Sequence, residues 1–388
     1  MLKLGEKIIN QIYLGDKKIA KVFLGEKLVY QTLVQEPTFL DYIEFDGASY
    51  INTSIPMSGK QKCIVETKMQ FSPSSVRQLQ GFSTDAGGYW GVATNNVFEL
   101  GGGIALSNTI NPYEVNEINV EFTPTVTTIT VDNTTISRNG GGFDRSKVYT
   151  IGSVISSSGY YMFGRVYYHR LSDENGLIQD LRPCIHPNGT VCFYDTVTNE
   201  YFYNQGTGEL KAGGRFVESI YFDGNCYIDT GLKHETCRIE TAVKYEAGHS
   251  RRMLTGWSGA DSYWGMMSNG KMEVSGSGTN TAILTDYTEI EIILDNENLL
   301  FTVTADGETK TVPAVYTSYD KYTIGCSTPS SSNKIIGNVY YHRAYNATGD
   351  LIQDLRPYVD ADGKAYFKDL VTGDLFYNKG TGTLEYTE

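Results

Sequence analysis

The sequence predicts an all-β protein: a short N-terminal run of β-hairpin repeats, then two tandem antiparallel sandwiches. Three observations carry this. The 388 residues include 41 glycines and 29 tyrosines but only 10 prolines, a mixture that favours twisted sheets joined by tight turns. Short runs such as INVEF (118–122), ITVDN (129–133), EIEIIL (289–294) and FTVTADG (301–307) alternate apolar and polar positions, and no stretch sustains a 3.6-residue period. Most tellingly, the chain repeats itself.

The leader, residues 1–36, holds three ten-residue units, LKLGEKIINQ, IYLGDKKIAK and VFLGEKLVYQ. Gly5-Glu6, Gly15-Asp16 and Gly25-Glu26 fit the Gly-X centre of a type II′ turn. β-branched and aromatic residues lie between them, so the leader reads as a small antiparallel meander. Two or three such strands are marginal alone, and the leader is expected to draw its stability from a partner, as an attachment or oligomerisation element. Six lysines against three acids give residues 1–35 a charge of +3, leaving −16 of the total −13 for the rest.

The remainder is one domain written twice, 37–212 and 213–388. YIEFDGASYINT (42–53) aligns with SIYFDGNCYIDT (219–230), and GRVYYHRLSDENGLIQDLRP (164–183) with GNVYYHRAYNATGDLIQDLRP (337–357). DTVTNEYFYNQGTGEL (195–210) aligns with DLVTGDLFYNKGTGTL (369–384). Many short strands in each copy imply a two-sheet antiparallel sandwich.

Charge and cysteine usage exclude several functions. With 45 acidic against 32 basic residues the chain repels a nucleic-acid backbone. The charged N-terminus is not a Sec-type signal peptide, and no run approaches the roughly 20 apolar residues of a membrane span, so no membrane insertion is expected. Of the six cysteines, Cys63 aligns with Cys237. Cys184, Cys192, Cys226 and Cys326 fall opposite Tyr358, Tyr366, Ser49 and Ser153. No disulfide is shared by the copies and no C-x-x-C pair offers a zinc site, so the cysteines read as small buried hydrophobes with at most one chance pair.

In order, FDGxxYIxT (45–53; 222–230), a strand pair ending in VDN (131–133) or ADG (305–307), YTIGS or YTIGC (149–153; 322–326), and FGRVYYHRL or IGNVYYHRA (163–171; 336–344) recur in both copies. With these motifs each copy resembles a concanavalin A-like lectin/glucanase domain of the laminin-G and pentraxin kind. The resemblance implies a jelly roll of two curved sheets, used for glycan or protein binding and in some members holding calcium. The YLGDKKI unit (13–19) and residues 167–208 are together similar to virion structural proteins of tailed bacteriophages of gut bacteria, although the second copy departs at Tyr358 and Tyr366, where that pattern has cysteine. This implies a virion protein, made and folded in the bacterial host cytoplasm, whose leader contacts other virion proteins or further copies of the chain.

Candidate sites follow. The repeated Tyr89-Trp90-Gly91 and Tyr263-Trp264-Gly265, with Asn95, Asn269 and Trp257, form the candidate ligand-binding set, because aromatic faces stack on sugar rings while amides hydrogen-bond hydroxyls. A competing reading packs both tryptophans between the sheets. Glu117, Asn119 and Glu121, and Glu289, Glu291 and Asp295, lie where glycosidase relatives alternate acids. However, Asn119 and Ile293 interrupt the two carboxyls that such chemistry needs about 5 Å apart, so no catalytic residue is expected. His169 and His342 are expected on the strand surface, and Asp180-Leu181-Arg182-Pro183 and Asp354-Leu355-Arg356-Pro357 as structural corners, with proline ending the strand. Asp46, Asp132 and Asp144, and Asp223, Asp306 and Asp320, sit in turn-like contexts without a D-x-D-x-D loop. No cofactor or metal is expected, and calcium only if separate loops assemble a site. The expected function is non-enzymatic display of lectin-like domains for host-surface or mucus glycans. The alternatives are a purely architectural virion protein and, more distantly, a bacterial adhesin or glycan hydrolase.

Overall fold

The computed structural model describes residues 2–4, 7–9, 12–14, 17–19, 21–24, 27–31, 36–56, 60–74, 78–83, 88–101, 104–105, 110–139, 147–154, 160–233, 238–248, 253–257, 263–274, 279–295, 298, 300–313, 321–326 and 333–387, with backbone alone for 1–35, 83, 104–105, 253, 257 and 279–281. Every element among them is a β-strand, and the chain divides into two compact units, Met1–Ala212 and Gly213–Glu388. Among the described residues no helix is long and apolar enough to cross a membrane.

The leader forms three two-stranded antiparallel hairpins: Leu2–Leu4 with Lys7–Ile9, Ile12–Leu14 with Lys17–Ile19, and Lys21–Leu24 with Lys27–Gln31. Among the described residues no ladder joins one hairpin to the next. The Gly-acid turns lie outside the described residues.

After the leader, the first unit is an antiparallel jelly-roll sandwich. Its large sheet runs Thr134–Asn139, Val126–Val131, Asn116–Phe122, Cys63–Phe71, Phe163–Asp173, Gly176–Ile185, Val191–Asp195, Glu200–Phe202, and its six-stranded partner runs Ile104–Ala105, Phe98–Leu100, Gly88–Val92, Gln78–Ser83, Val148–Ile151, Ile51–Pro56. The second unit repeats both orders. Alternation dictates which face is buried: Asn116, Ile118, Val120 and Phe122 point inward while Glu117 and Asn119 face out. The VDN and ADG stretches are two-residue hairpin loops. Asp132 and Asn133 (φ 43° and 72°) and Asp306 and Gly307 (φ 50° and 76°) all hold the positive φ of a type I′ turn.

One irregularity recurs and matters for function. In the central strand Phe163–Asp173 the register against Cys63–Phe71 slips between Lys68 and Met69, so Tyr167 is an extra residue, a β-bulge. In the second unit the slip between Ala242 and Val243 leaves Tyr340 extra. Each bulge inverts the inward–outward phase of the YYHR motif. Tyr167 and Tyr168 both face out, and His169 turns in.

Proline does not end the next strand, contrary to expectation. Pro183 lies inside Gly176–Ile185 and Pro357 inside Leu351–Val359, each paired across the ladder with Phe193 or Phe367. The neighbour on the other side is only two residues long, Thr38–Phe39 or Arg215–Phe216. It needs no proline N–H, because Leu40 N and Val217 N donate to the proline carbonyls at 2.9 and 3.1 Å.

Candidate functional site

The tryptophans expected to face a sugar are core residues. Trp90 is 0% and Trp264 1% exposed. Each indole N–H donates to a buried tyrosine hydroxyl, Tyr149 at 2.8 Å and Tyr322 at 2.9 Å. Those tyrosines in turn stack on His169 and His342 with ring centroids 5.1 Å apart. A Trp–Tyr–His column therefore runs through each sandwich, and burying the indole with its one donor satisfied removes it from any surface role. Tyr89 is also buried, against Leu79 and Val154. Tyr263 is half-buried beside Glu273. Asn95 and Asn269 are exposed at hairpin loops of the small sheets, and the Asn269 side chain is used locally, accepting from Lys271 N at 3.1 Å. Trp257 is placed on a strand opposite Tyr322, and its side chain lies outside the described residues. The proposed set does not assemble into a binding surface.

His169 and His342 are likewise not surface residues. Both are fully buried, His169 has neither ring nitrogen hydrogen-bonded within the chain, and burial holds each pKa down to about 3. They are neutral packing groups at any ordinary pH. The DLRP motif does hold an Asp–Arg pair. Arg182 Nε lies 2.8 Å from Asp180 and Arg356 Nε 2.6 Å from Asp354, with Arg170 and Arg343 reaching the same carboxylates at 3.4 and 3.5 Å. Both guanidiniums of each set lie over one outward tyrosine, Tyr168 at 5.1 and 5.4 Å, Tyr341 at 5.2 and 5.2 Å.

In the first unit the strand carboxylates are engaged in ion pairs and hydrogen bonds. Lys62 lies 2.8 Å from Glu121, Lys68 lies 3.3 Å from Glu117, and Tyr168 donates to Glu117. Asp46 and Asp223 close their FDG turns. Burial pushes the Asp46 pKa up, but hydrogen bonds from Glu209 N, Ala48 N and Ser49 outweigh it and leave it lowered. Asp132 accepts from Glu117 N. Asp144 and Asp320 lie outside the described residues, among which no group of three or more metal-ligating side chains occurs.

The site that the sequence reading did not select is a groove of about 550 Å³ in the first unit, lined by Asn52, Ser54, Glu200, Tyr201, Phe202, Tyr203 and Gln205. Strand Glu200–Phe202 is the last of the large sheet, and alternation sends Tyr201 and Tyr203 to the face opposite Phe202, which packs on the core. Their rings stack at 6.4 Å with planes 27° apart, and His186 packs edge-on to Tyr201 at 4.5 Å. Tyr203 is 38% exposed. Amides, a hydroxyl and a carboxylate thus surround a flat aromatic wall. The available signal was the Tyr-Phe-Tyr alternation at 201–203.

The second unit carries a different groove, of about 730 Å³, over the outward face of its large sheet. Glu240, Glu289, Glu291, Asp306, Tyr287, Tyr341 and Arg343 line it, and Glu240 stands between Glu291 and Arg343 on adjacent strands. Tyr345 donates to Glu240 at 2.8 Å and Tyr287 to Glu289 at 3.1 Å.

No protein-family model matches the chain, and no curated protein matches it. Among solved structures it is similar to domains LG4-5 of the mouse laminin α1 chain (13% identity, 92% of this chain and 98% of that one, TM-score 0.28). It is also similar to a Bacteroides ovatus protein proposed to bind carbohydrate (10% identity, 89% and 98%, TM-score 0.31). A third is the NanB sialidase of Streptococcus pneumoniae, as its K499G mutant (10% identity, 88% and 74%, TM-score 0.21). Superposition this loose transfers no residue role and no activity.

Proposed function

We propose that the protein is a non-enzymatic bacteriophage virion component whose sandwiches bind glycans of a host surface or of mucus, the first unit through the groove at Tyr201 and Tyr203. The observation that carries the reading is that groove: a stacked tyrosine pair offering flat apolar area, ringed by Asn52, Ser54, Glu200 and Gln205, which can exchange hydrogen bonds with sugar hydroxyls. Against enzymatic use stand the ion pairs that occupy Glu117 and Glu121, and Asn119 where a second carboxylate is required. The virion assignment, with synthesis and folding in the host cytoplasm, rests on the leader units and the closing motif of residues 167–208. In this reading the three leader hairpins attach the chain to other virion proteins or to further copies of itself.

The test is a glycan array probed with the full chain, with Tyr201→Ala and Tyr203→Ala alongside. Removing one stacking face should weaken binding by about tenfold, the order expected of an aromatic contact worth about 1.4 kcal/mol. Unchanged binding by both variants would discard the groove. A folded chain that binds no glycan would leave the architectural reading.

A further inference from the structure

Cys184 and Cys192 are direct cross-strand partners in the antiparallel ladder between Gly176–Ile185 and Val191–Asp195. The tight hairpin joining these strands is fixed by His186 N to Thr190 O and Gly189 N to His186 O, both 2.8 Å. The two sulfurs lie 3.6 Å apart, and both residues are fully buried. A disulfide needs an S–S distance of about 2.05 Å, so closing the bond asks for about 1.5 Å of side-chain rotation on a backbone already in register. Among the described residues Cys63, Cys226 and Cys326 form no disulfide.

The second unit shows what this ladder position requires. There the same rung is Tyr358 opposite Tyr366, whose rings pack at 5.5 Å and continue to Phe216 at 5.2 Å and Tyr377 at 5.0 Å. An aromatic ladder grips the hairpin there. In the first unit the rung is two small thiols, overlain by Phe39, Tyr194 and Tyr201.

We propose that Cys184 and Cys192 are a modification site: in the presence of a low-molecular-weight disulfide they form an intramolecular cross-strand disulfide that staples the 184–192 hairpin. Cys192 is the attacking sulfur, its pKa lowered by the thiol of Cys184 donating to it. Its thiolate displaces one thiol from the small disulfide, giving a mixed disulfide. The Cys184 sulfur then attacks Cys192 and displaces the second. Two electrons pass from the protein sulfurs to the small disulfide, and the two protons leave on the two small thiols. Nothing in this step depends on glycan binding.

The test incubates the full chain with oxidised glutathione, natively and during refolding from denaturant. Free thiols are then alkylated under denaturing conditions and the unreduced peptides mapped. The expected product is one cross-linked peptide joining 184 to 192, two hydrogens lighter than its parts, with Cys63, Cys226 and Cys326 alkylated. Full alkylation of Cys184 and Cys192 after both treatments, or glutathione on each separately, would overturn the assignment. Cys184→Ser should instead trap glutathione on Cys192. The oxidised chain should melt above the reduced one, and the Cys184→Ser/Cys192→Ser chain should show no such difference. An equal shift in that double variant would place the bond elsewhere.

Discussion

The two sandwiches are the same machine inside and different outside. Each contains the Trp–Tyr–His column, the bulged YYHR strand and the paired arginines over one tyrosine, at matching ladder positions. Their grooves share no such match. The first unit presents amides, a hydroxyl and stacked tyrosines at one end of its large sheet, while the second presents four carboxylates across the face of its own. The residues that bury or pin the chain are duplicated, and the grooves differ at a few positions: Glu291 of the second is Asn119 in the first unit, and Tyr201 of the first is Leu375 in the second. If the grooves bind glycans as proposed, the two units should select different ligands.

The largest way to break the symmetry of the interiors is Trp90→Ala or Trp264→Ala. Each should cost about 3–5 kcal/mol and lower the denaturant midpoint of its own unit. A change as small as that of a surface variant would remove the column from the core. Next comes pH. Unfolded histidine titrates near 6.5, whereas burial holds His169 and His342 to about 3. As pH falls the unfolded chain therefore takes up protons first, and stability drops between about pH 6.5 and 3, at most about 1.4 kcal/mol per pH unit for each histidine. His169→Leu should flatten this slope in the first unit alone and His342→Leu in the second, as read by urea titrations at several pH values. In the outer half of the comparison, Tyr203→Ala should weaken glycan binding about tenfold and Glu291→Gln should leave first-unit binding unchanged. Equal loss from both would merge the two grooves into one function. The smallest contrast is in the type I′ turns. Asn133→Gly should stabilise the first unit by less than about 1 kcal/mol and Gly307→Asn destabilise the second by a similar amount, seen as opposite shifts in Tm.

Much of the fold was legible because it is written in alternation. The runs at 116–122 and 288–295 show their inward faces directly, and the Asp-Asn and Asp-Gly pairs sit where hairpins reverse. The histidines were misplaced because counting in twos through YYHR fails where Tyr167 or Tyr340 is extra. A single-residue bulge leaves no mark in one strand's own sequence, since it is defined against the partner strand. The candidate site failed for a related reason. A repeated Tyr-Trp-Gly fits a core or a surface equally well, and only the tyrosine hydroxyl that reaches each indole decides it. Cys184 and Cys192 looked unpaired because the second copy lacks them. Their opposition is a matter of register, which the eight-residue spacing alone does not specify.

A strand near the start of each sandwich is held by the strand that closes it: Ile43–Asp46 pairs with Leu210–Ala212, and Ser219–Asp223 with Glu385–Thr387. Such pairings join residues more than 160 positions apart, so each unit has high contact order and must fold slowly. During synthesis neither sandwich can be completed until its final residues leave the ribosome. The same adjacency of ends makes each unit a self-contained cassette, which a gene can copy in line without disturbing the copy before it.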